Sequence, residues 1–347
     1  MRFPFIRRLC LAAVVFALPI SASATTSSRN AAPDKAPAAA KLLAACDRGD
    51  ASSCYDLAIN YDEGDGVPKD EAKAATLYAK ACDGGHAKSC FNIGVDYDSG
   101  IGVTQDKPRG ATLYAKACDG GDASGCFNLA LDYDNGQGVA KSEARGAALY
   151  DKACAGGDIK GCFNAGIDYD DGLGVAKDKA RAAAFYAKAC DGGHSGACYN
   201  LAVDYDDGEG VIKNEATAAT LYAKACDADS AKSCYNLGID YDQGTGVSKD
   251  AAHAASLYAR ACDGGHAGGC YNLAIDYDNG DGVAKDEARA ATLYAKGCDG
   301  GNFKSCQNLA VDYDQGIGVE RDASHAASLF KRACDGGNAD ACKTARR

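Results

Sequence analysis

Apolar residues along this chain follow a pattern that repeats every 36 residues. In the copy that starts at Asp70, the apolar positions of the first segment are Ala74, Leu77, Tyr78, Ala81 and Cys82. Residues spaced three and four apart lie on one side of an α-helix. The pattern therefore predicts a first helix, helix A, over about residues 71–82, and Gly84-Gly85 is expected to end it.

A second apolar segment follows in the same copy. Its main face is formed by Cys90, Ile93, Gly94 and Tyr97. Phe91 and Val95 form a second apolar edge, which would let this helix contact neighbours on two sides. We expect helix B over about residues 87–98, ended by Gly100 and Gly102.

The residue before each helix A is of a type that caps helices. Short polar side chains accept hydrogen bonds from the free N–H groups of a first turn. The capping positions are Asp34, Asp70, Asp106, Ser142, Asp178, Asn214, Asp250, Asp286 and Asp322. They define nine tandem repeats over residues 34–347, the last one truncated.

The repetition predicts an all-α fold, an α/α solenoid of helical hairpins. One hairpin of this length cannot bury both of its apolar faces, so consecutive hairpins must stack. The end copies deviate, as terminal repeats do, with an Ala-rich first helix and a stop soon after Cys342. Asp227-Ala228-Asp229 replaces the glycine pair of one turn, and that turn is expected to differ locally.

Cysteine spacing indicates a disulfide in every repeat. Of 19 cysteines, 18 form pairs eight residues apart: Cys46-Cys54, Cys82-Cys90, Cys118-Cys126, Cys154-Cys162, Cys190-Cys198, Cys226-Cys234, Cys262-Cys270, Cys298-Cys306 and Cys334-Cys342. An even set in an exported chain is typical of a disulfide framework, and local pairing makes every repeat alike. Zinc sites place their cysteines two to four apart, so the spacing favours disulfides over metal.

The first residues have the three-part pattern of a secretory signal peptide. Arg2, Arg7 and Arg8 precede an apolar run at 11–20 and the small residues Ala22-Ser23-Ala24. We predict a Sec-type signal peptide over 1–24, a disordered linker over 25–33, and a periplasmic or secreted protein. The apolar run is too short to span a bilayer, so no membrane insertion is expected after cleavage.

The net charge of −11 bears on the choice of partner. Phosphate backbones and anionic membrane surfaces repel such a chain, so nucleic acid is excluded as a natural ligand. A basic protein or peptide partner fits better. We expect a monomer without a cofactor.

The repeat resembles a known family. The segment Ile93–Val103 reads Ile-Gly-Val-Asp-Tyr-Asp-Ser-Gly-Ile-Gly-Val, and Leu221–Cys226 reads Leu-Tyr-Ala-Lys-Ala-Cys. Both are similar to the Sel1-like repeat, a relative of the tetratricopeptide repeat, and the cysteine pairs resemble the cysteine-rich Helicobacter proteins. The resemblance implies a right-handed superhelix that serves as a protein-binding scaffold. Some cysteine-rich members are described as β-lactamases or penicillin-binding proteins.

Helix B carries a repeated Asn/Asp pair, four residues apart, that lies off both apolar edges. We call this set the Asn/Asp ladder: Asn92, Asp96, Asn128, Asp132, Asn164, Asp168, Asn200, Asp204, Asn236, Asp240, Asn272, Asp276, Asn308 and Asp312. Carboxylates near a helix C-terminus oppose the helix dipole, which suggests a role beyond folding. The ladder is a candidate surface for a basic peptide, a cation or a glycan, and the alternative is a solvated face that keeps the chain soluble.

Two other chemistries leave weaker signals. The segment 276–282 has the composition of a calcium loop, but the glycine and the oxygen ligand stand in reversed order. Ser328 and Lys331 form the only Ser-x-x-Lys of the mature chain, without the other motifs of a serine β-lactamase. Weak β-lactamase or penicillin-binding activity and cell-wall glycan binding stay as alternatives to a scaffold, and no catalytic or metal-binding residues are assigned.

Overall fold

The structure, a computed structural model, describes residues 36–344, and all regular secondary structure in that range is helical. The signal peptide expected over 1–24 and the linker over 25–33 lie outside the described residues. The prediction of an all-α solenoid of helical hairpins is confirmed.

The chain forms two compact units, Met1–Lys177 and Asp178–Arg347, and each is a row of helical hairpins. Unit 1 contains α1 (Ala36–Asp47), α2 (Ala51–Glu63), α3 (Glu71–Asp83), α4 (Ala87–Ser99), α5 (Lys107–Asp119), α6 (Ala123–Asn135), α7 (Glu143–Ala155) and α8 (Ile159–Asp171). Unit 2 contains α9 (Lys179–Asp191), α10 (Ser195–Asp207), α11 (Glu215–Asp227), α12 (Ala231–Gln243), α13 (Ala251–Asp263), α14 (Ala267–Asn279), α15 (Glu287–Asp299), α16 (Phe303–Gln315), α17 (Ala323–Asp335) and α18 (Ala339–Thr344). Odd-numbered helices are helix A and even-numbered helices are helix B.

Helix boundaries follow the capping residues closely. The Asp70 carboxylate accepts a hydrogen bond from the backbone N–H of Lys73 at 3.0 Å, as expected of an N-cap. Equivalent bonds occur at Asp106, Asp178, Asn214, Asp250, Asp286 and Asp322. Ser142 is the exception among the described caps, because its side chain makes no such bond.

Two kinds of connection alternate along each unit. A short turn joins helix A to helix B, and in α3–α4 its second glycine, Gly85, has φ +87°. A longer loop joins helix B to the next helix A, and Gly102 in the loop after α4 has φ +65°. A Cβ on Gly102 would lie 2.2 Å from the backbone oxygen of Glu71, so the loop needs glycine both for its conformation and for its close approach to α3.

One short turn keeps its backbone without glycine. Asp229 has φ +60° and is the only non-glycine residue with positive φ in the described part of the chain. Aspartate enters the left-handed region more readily than most residues. The turn expected to differ therefore differs in sequence and keeps the left-handed conformation at this position.

A disulfide closes every short turn between residues 46 and 342. The pairs are Cys46–Cys54, Cys82–Cys90, Cys118–Cys126, Cys154–Cys162, Cys190–Cys198, Cys226–Cys234, Cys262–Cys270, Cys298–Cys306 and Cys334–Cys342. Each joins the last turn of helix A to the first turn of helix B, and almost all of these cysteines are buried. So many disulfides indicate an oxidising environment outside the cytoplasm.

The core consists of small residues around a column of tyrosines. Ala74 and Ala81 of α3 are fully buried, and Tyr78 between them is 3% exposed. On helix B, Gly94 lies so close to Tyr114 of the next helix A that an added Cβ would be 2.8 Å from the ring. Small side chains therefore let neighbouring helices approach closely around each tyrosine.

Exposed ion pairs join consecutive helices A. Each links a lysine or arginine to an aspartate 33 residues earlier: Lys80–Asp47, Lys116–Asp83, Lys152–Asp119, Lys224–Asp191, Arg260–Asp227, Lys296–Asp263 and Arg332–Asp299. Their N–O distances lie between 2.9 Å and 3.7 Å. Exposed pairs of this kind stabilise a fold only slightly, so they align the hairpins more than they hold them together.

Candidate functional site

The structure corrects the expected position of the Asn/Asp ladder. The aspartates were expected on an outward stripe, but six of the seven are at most 8% exposed: Asp96, Asp132, Asp168, Asp204, Asp240 and Asp312. Asp276 is half-buried. The ladder asparagines are half-buried except Asn200, which is buried. The prediction that the ladder aspartates lie on a solvent-facing stripe is therefore wrong.

The aspartates are buried because helix B has a third neighbouring helix. A helical wheel of helix B accounts for its own helix A and for the following one. Stacking also brings helices B of consecutive hairpins together, as α4 and α6 show in unit 1. Asp96 consequently lies near Asp62 of the preceding helix B and near Glu71 at the start of α3.

At several junctions within the units, a side-chain hydrogen bond joins a helix B to the next helix A. The Tyr78 hydroxyl donates to the Asp62 carboxylate at 2.7 Å, across the longer loop. The same bond, always between residues 16 apart, occurs at Tyr150–Asp134, Tyr222–Asp206 and Tyr294–Asp278, with distances of 2.7–3.0 Å. A hydrogen bond to a charged acceptor is worth about 1.5–3 kcal/mol.

The ladder asparagines belong to this same network. The Asn92 amide hydrogen-bonds the Tyr78 hydroxyl, and equivalent contacts occur at Asn128, Asn164, Asn272 and Asn308. Burial and the nearby Asp62 carboxylate hold the pKa of Tyr78 well above its usual value, so the hydroxyl keeps its proton and acts as a donor. Each Asp–Tyr–Asn network thus joins three consecutive helices.

The ladder aspartates have an unusual protonation equilibrium. Burial, followed by the neighbouring Asp62 and Glu71 carboxylates, raises the pKa of Asp96 to about 7. Burial also raises the pKa to about 7 at Asp132, Asp276 and Asp312, and in each case the nearest aspartate of the preceding helix B adds to the effect. These carboxylates therefore change charge near neutral pH, where ordinary aspartates do not.

A second row on helix B reaches solvent. We call it the helix B surface: Tyr55, Ile59, Phe91, Val95, Phe127 and Leu131 in unit 1, and Tyr199, Val203, Tyr235, Ile239, Tyr271 and Ile275 in unit 2. All twelve side chains are half-buried. The Phe91 ring packs on the buried Tyr114 ring at 5.9 Å, and the other aromatic members contact the next tyrosine in the same way at 5.8–6.2 Å.

The apolar residues of the helix B surface are visible in the sequence, but the helical wheel did not indicate that they would be partly exposed. Phe91 and Val95 were identified as a second apolar edge and assigned to contacts between helices. The structure shows that these contacts leave the side chains half-buried, although the Tyr55 and Tyr235 rings also contact His86 and His266. The remaining apolar area is exposed and regularly spaced.

The Ser-x-x-Lys pair does not form a nucleophilic centre. Ser328 and Lys331 both line an open depression of about 420 Å³ on α17, beside Phe303 and Arg332. The Ser328 hydroxyl donates to the backbone oxygen of His325 at 2.7 Å. A hydrogen bond with Asp335 raises the pKa of Lys331, which keeps this amine protonated and unable to act as a base.

Residues 36–344 contain neither a metal centre nor a membrane span. No group of three or more His, Cys, Asp or Glu side chains there is arranged to hold a metal ion. Among the same residues, no helix has the length and apolar character needed to cross a membrane.

The fold and the repeated disulfide place the protein in the class of cysteine-bridged α-solenoids built from helical hairpins. The Sel1 repeat profile matches residues 51–86, 87–122, 123–158, 159–194, 195–230, 231–266, 267–302 and 304–338. These matches cover most of the chain. The protein therefore belongs to the Sel1 repeat family.

Solved structures agree with this assignment. A protective antigen of uropathogenic Escherichia coli with an SLR fold is 27% identical, with a TM-score of 0.83 over 88% of this chain, which spans 66% of the antigen's length. A Sel1 repeat protein from Oxalobacter formigenes is 22% identical, with a TM-score of 0.69, over 96% of this chain and 98% of that one. The second likeness bears on the fold alone. No curated protein sequence matches the chain.

The boundaries of the family repeat differ from those of the disulfide-bridged hairpin. Each family repeat starts at a helix B and ends after the next helix A, so residues 51–86 contain α2 and α3. The Cys82–Cys90 bond then joins one family repeat to the next. The Asp62–Tyr78 hydrogen bond lies inside a repeat. Covalent bonds therefore connect repeats, and the buried polar network holds each repeat together.

Proposed function

We propose that this protein is an exported interaction scaffold that binds an extended segment of a protein partner along the helix B surface. The observation that carries the proposal is the regular row of half-buried aromatic and aliphatic side chains in each unit. Solenoid proteins generally use such extended surfaces to bind other proteins. Rings held by a buried tyrosine are already ordered, so binding costs little additional side-chain entropy.

The chemistry of the surface suggests the kind of partner. Apart from Tyr55, each half-buried aromatic residue of the helix B surface is followed in sequence by a ladder asparagine, as Phe91 is by Asn92. Apolar side chains of a partner could pack on the rings, while the amides and the acidic charge of the chain favour polar and basic groups. We therefore propose a protein or peptide partner with basic character, bound by a monomeric scaffold.

Export belongs to the same proposal. We propose that residues 1–24 are removed as a Sec-type signal peptide and that the solenoid over 34–347 works in the periplasm or after secretion. The support is the paired cysteines, which need an oxidising compartment to form their bonds. N-terminal sequencing of protein from the periplasm and from culture medium should give a start near Thr25; a start at Met1 in both fractions would reject the proposal.

The binding proposal is tested by charge insertion. Val95→Glu with Ile239→Glu places a carboxylate on the helix B surface of each unit, and Thr76→Glu places one on an exposed position of helix A as the control. Proteins captured by immobilised wild type are identified and remeasured with purified partner. Loss of at least about tenfold in affinity for the helix B variant alone supports the proposal. Equal affinity of both variants for every captured protein would contradict it.

A further inference from the structure

Three acidic residues at the ends of three consecutive helices in unit 2 are close enough to interact electrostatically. Asp278 lies in the last turn of α14, Glu287 is the first residue of α15, and Asp312 lies in the last turn of α16. Asp278 and Glu287 are the charged groups that act most strongly on Asp312. We call these three residues the acidic junction.

The three side chains differ in exposure. Glu287 is at the rim, with 44% of its side chain exposed and an ion pair to Lys285 at 2.9 Å. Asp278 is half-buried and accepts the Tyr294 hydrogen bond through one oxygen. Asp312 is only 6% exposed. The site therefore has an open acidic rim and a buried acidic base.

Asp312 has an unsatisfied oxygen. Its Oδ2 atom is buried and has no hydrogen-bond partner among the described residues. A buried carboxylate oxygen without a partner is costly, and a proton or a cation removes that cost. Partial positive charge at the start of α15 offsets some of the negative charge but supplies no group that fills the site.

At another junction of the same chain, a lysine takes the position of the rim glutamate. In unit 1 the position equivalent to Glu287 is Lys107, and its ammonium lies 3.9 Å from the Asp98 carboxylate. Lys107 also counteracts the rise in the pKa of Asp132, the residue equivalent to Asp312. An ammonium at the rim therefore pairs with one carboxylate, hydrogen-bonds Gln137, and acts electrostatically on Asp132. At the acidic junction, Glu287 replaces this internal cation with a third carboxylate.

We propose that the acidic junction of Asp278, Glu287 and Asp312 is a binding site for a lysine or arginine side chain of the protein partner. This inference rests on the proposed function for the source of the side chain, and it assigns the basic character of the partner to a defined position. The partner's cation takes the place that Lys107 occupies in unit 1. Glu287 and Asp278 attract it, and Asp312 accepts its N–H groups.

The raised pKa of Asp312 makes cation binding at the acidic junction depend on pH. A cation binds the ionised carboxylate, so its affinity should increase as the pH rises from 6 to 8 through the Asp312 pKa of about 7. The other charged groups that face Asp312 are Asp278 and Glu287, and Glu287 is paired with Lys285.

The test uses the full chain and two small probes, Ac-Gly-Arg-Gly-NH2 and its citrulline counterpart, which is isosteric and uncharged. Carboxyl carbon shifts of labelled Asp and Glu are followed by NMR at pH 6 and pH 8. Glu287→Lys copies the arrangement at Lys107, and Glu320→Lys makes the same charge change at an exposed loop residue. Circular dichroism checks that both variants keep their helices.

We expect the arginine probe to shift Asp312 and Glu287 and the citrulline probe to leave them unchanged. Affinity should rise several-fold from pH 6 to pH 8, fall at least about tenfold in Glu287→Lys, and change less than about twofold in Glu320→Lys. Equal losses in both variants, or an Asp312 carboxyl shift that does not respond to the arginine probe, would overturn the inference.

The two proposals can fail separately. If an identified partner depends on Val95 and Ile239 but binds Glu287→Lys as tightly as wild type, the acidic junction is not its site and the helix B surface stands. The opposite outcome is also possible: the arginine probe binds as expected, and the helix B substitutions do not change the affinity for any captured protein. In that case the acidic junction is a cation site and the proposed scaffold function is wrong.

Discussion

The short turn and the longer loop hold their helices in different ways. A buried disulfide closes the turn from α3 to α4, where Gly85 has no heavy atom within 4 Å of an added Cβ. The loop from α4 to α5 has no covalent bond, and its shape depends on Gly102 packed against α3. Across several of the longer loops a tyrosine–aspartate hydrogen bond joins the two helices, as from α2 to α3. One connection is therefore covalent and roomy, and the other is non-covalent and tightly packed.

This difference predicts which changes should destabilise each connection. The turn should tolerate side-chain changes and fail on reduction. The longer loop should be insensitive to reductant. Its helix junction should lose stability when a methyl group is added, a hydroxyl is removed or a carboxyl group loses its proton. Five changes to the molecule test this division, from the largest expected effect to the smallest.

Reduction of all the disulfides should have the largest effect. A bridge between residues eight apart stabilises the chain by roughly 2–3 kcal/mol, and nine such bridges exceed the stability of an ordinary domain. We expect the reduced and alkylated chain to lose most of its helical circular dichroism at 37 °C. Alkylating agent without reductant is the control. A reduced chain that melts within about 3 °C of the oxidised one would show that the turns do not depend on sulfur.

Gly102→Ala should destabilise the chain by about 3 kcal/mol, because the added methyl group meets the Glu71 backbone oxygen and φ is positive. Gly85→Ala has only the conformational cost, about 1 kcal/mol, since the space around it is open. Urea unfolding measures both. Equal losses for the two variants would remove the distinction between a packed loop and a roomy turn.

Tyr294→Phe should cost about 2 kcal/mol, because the Asp278 carboxylate loses the donor that satisfies it. The matched control is Tyr277→Phe, whose ring faces Arg289 at 4.6 Å and keeps that contact without its hydroxyl. Thermal denaturation should separate the two variants clearly. A control as unstable as Tyr294→Phe would assign the effect to ring packing.

The last junction provides a natural version of this experiment. Phe330 stands where the other helices A of unit 2 have tyrosine, so no hydroxyl is present. Asp314, the residue 16 positions earlier, is exposed. This junction therefore lacks the tyrosine–aspartate hydrogen bond.

Stability should decrease as the pH rises through 7. The folded-state pKa of Asp96, Asp132, Asp276 and Asp312 lies above the unfolded value, so their contribution is complete below about pH 4 and is lost as they ionise. After allowance for screening by water, each group should contribute about 1 kcal/mol between pH 5 and 8.5. Asp312→Asn should flatten the urea midpoint profile. A steeper or unchanged profile would mean that Asp312 is already ionised at pH 5.

The ion pairs between helices A should matter least. Lys296→Met removes the pair with Asp263, and both side chains are at least half exposed. The expected loss is below about 0.5 kcal/mol, and it should vanish at 1 M salt. A loss above about 1.5 kcal/mol would make the ion pairs a third structural connection.

The sequence predicts the helices well because their signals are local. Capping at Asp70 and the glycines after Cys82 place α3 to within one residue. Cysteine spacing likewise follows from one turn. None of these features needs knowledge of the neighbouring hairpin.

The ladder was misplaced because its environment is not local. Asp96 lies near Asp62 of α2 and Glu71 at the start of α3, and a helical wheel drawn for α4 does not include the contribution of α2. The internal repetition did hold a usable signal. Tyrosine recurs 16 residues after the last Asp of the Asn/Asp-Tyr-Asp motif at every junction but the last, and this spacing is that of the Asp62–Tyr78 pair.

The eight-residue spacing of the cysteines has a kinetic consequence. Eighteen thiols allow a very large number of pairings, yet each native partner is close by in sequence and is ready as soon as one hairpin exists. Loops of this size close in well under a microsecond, so native partners meet far more often than distant ones. Oxidation can then proceed hairpin by hairpin as the chain emerges, and lengthening the array adds no new opportunity for a wrong crosslink within a finished hairpin.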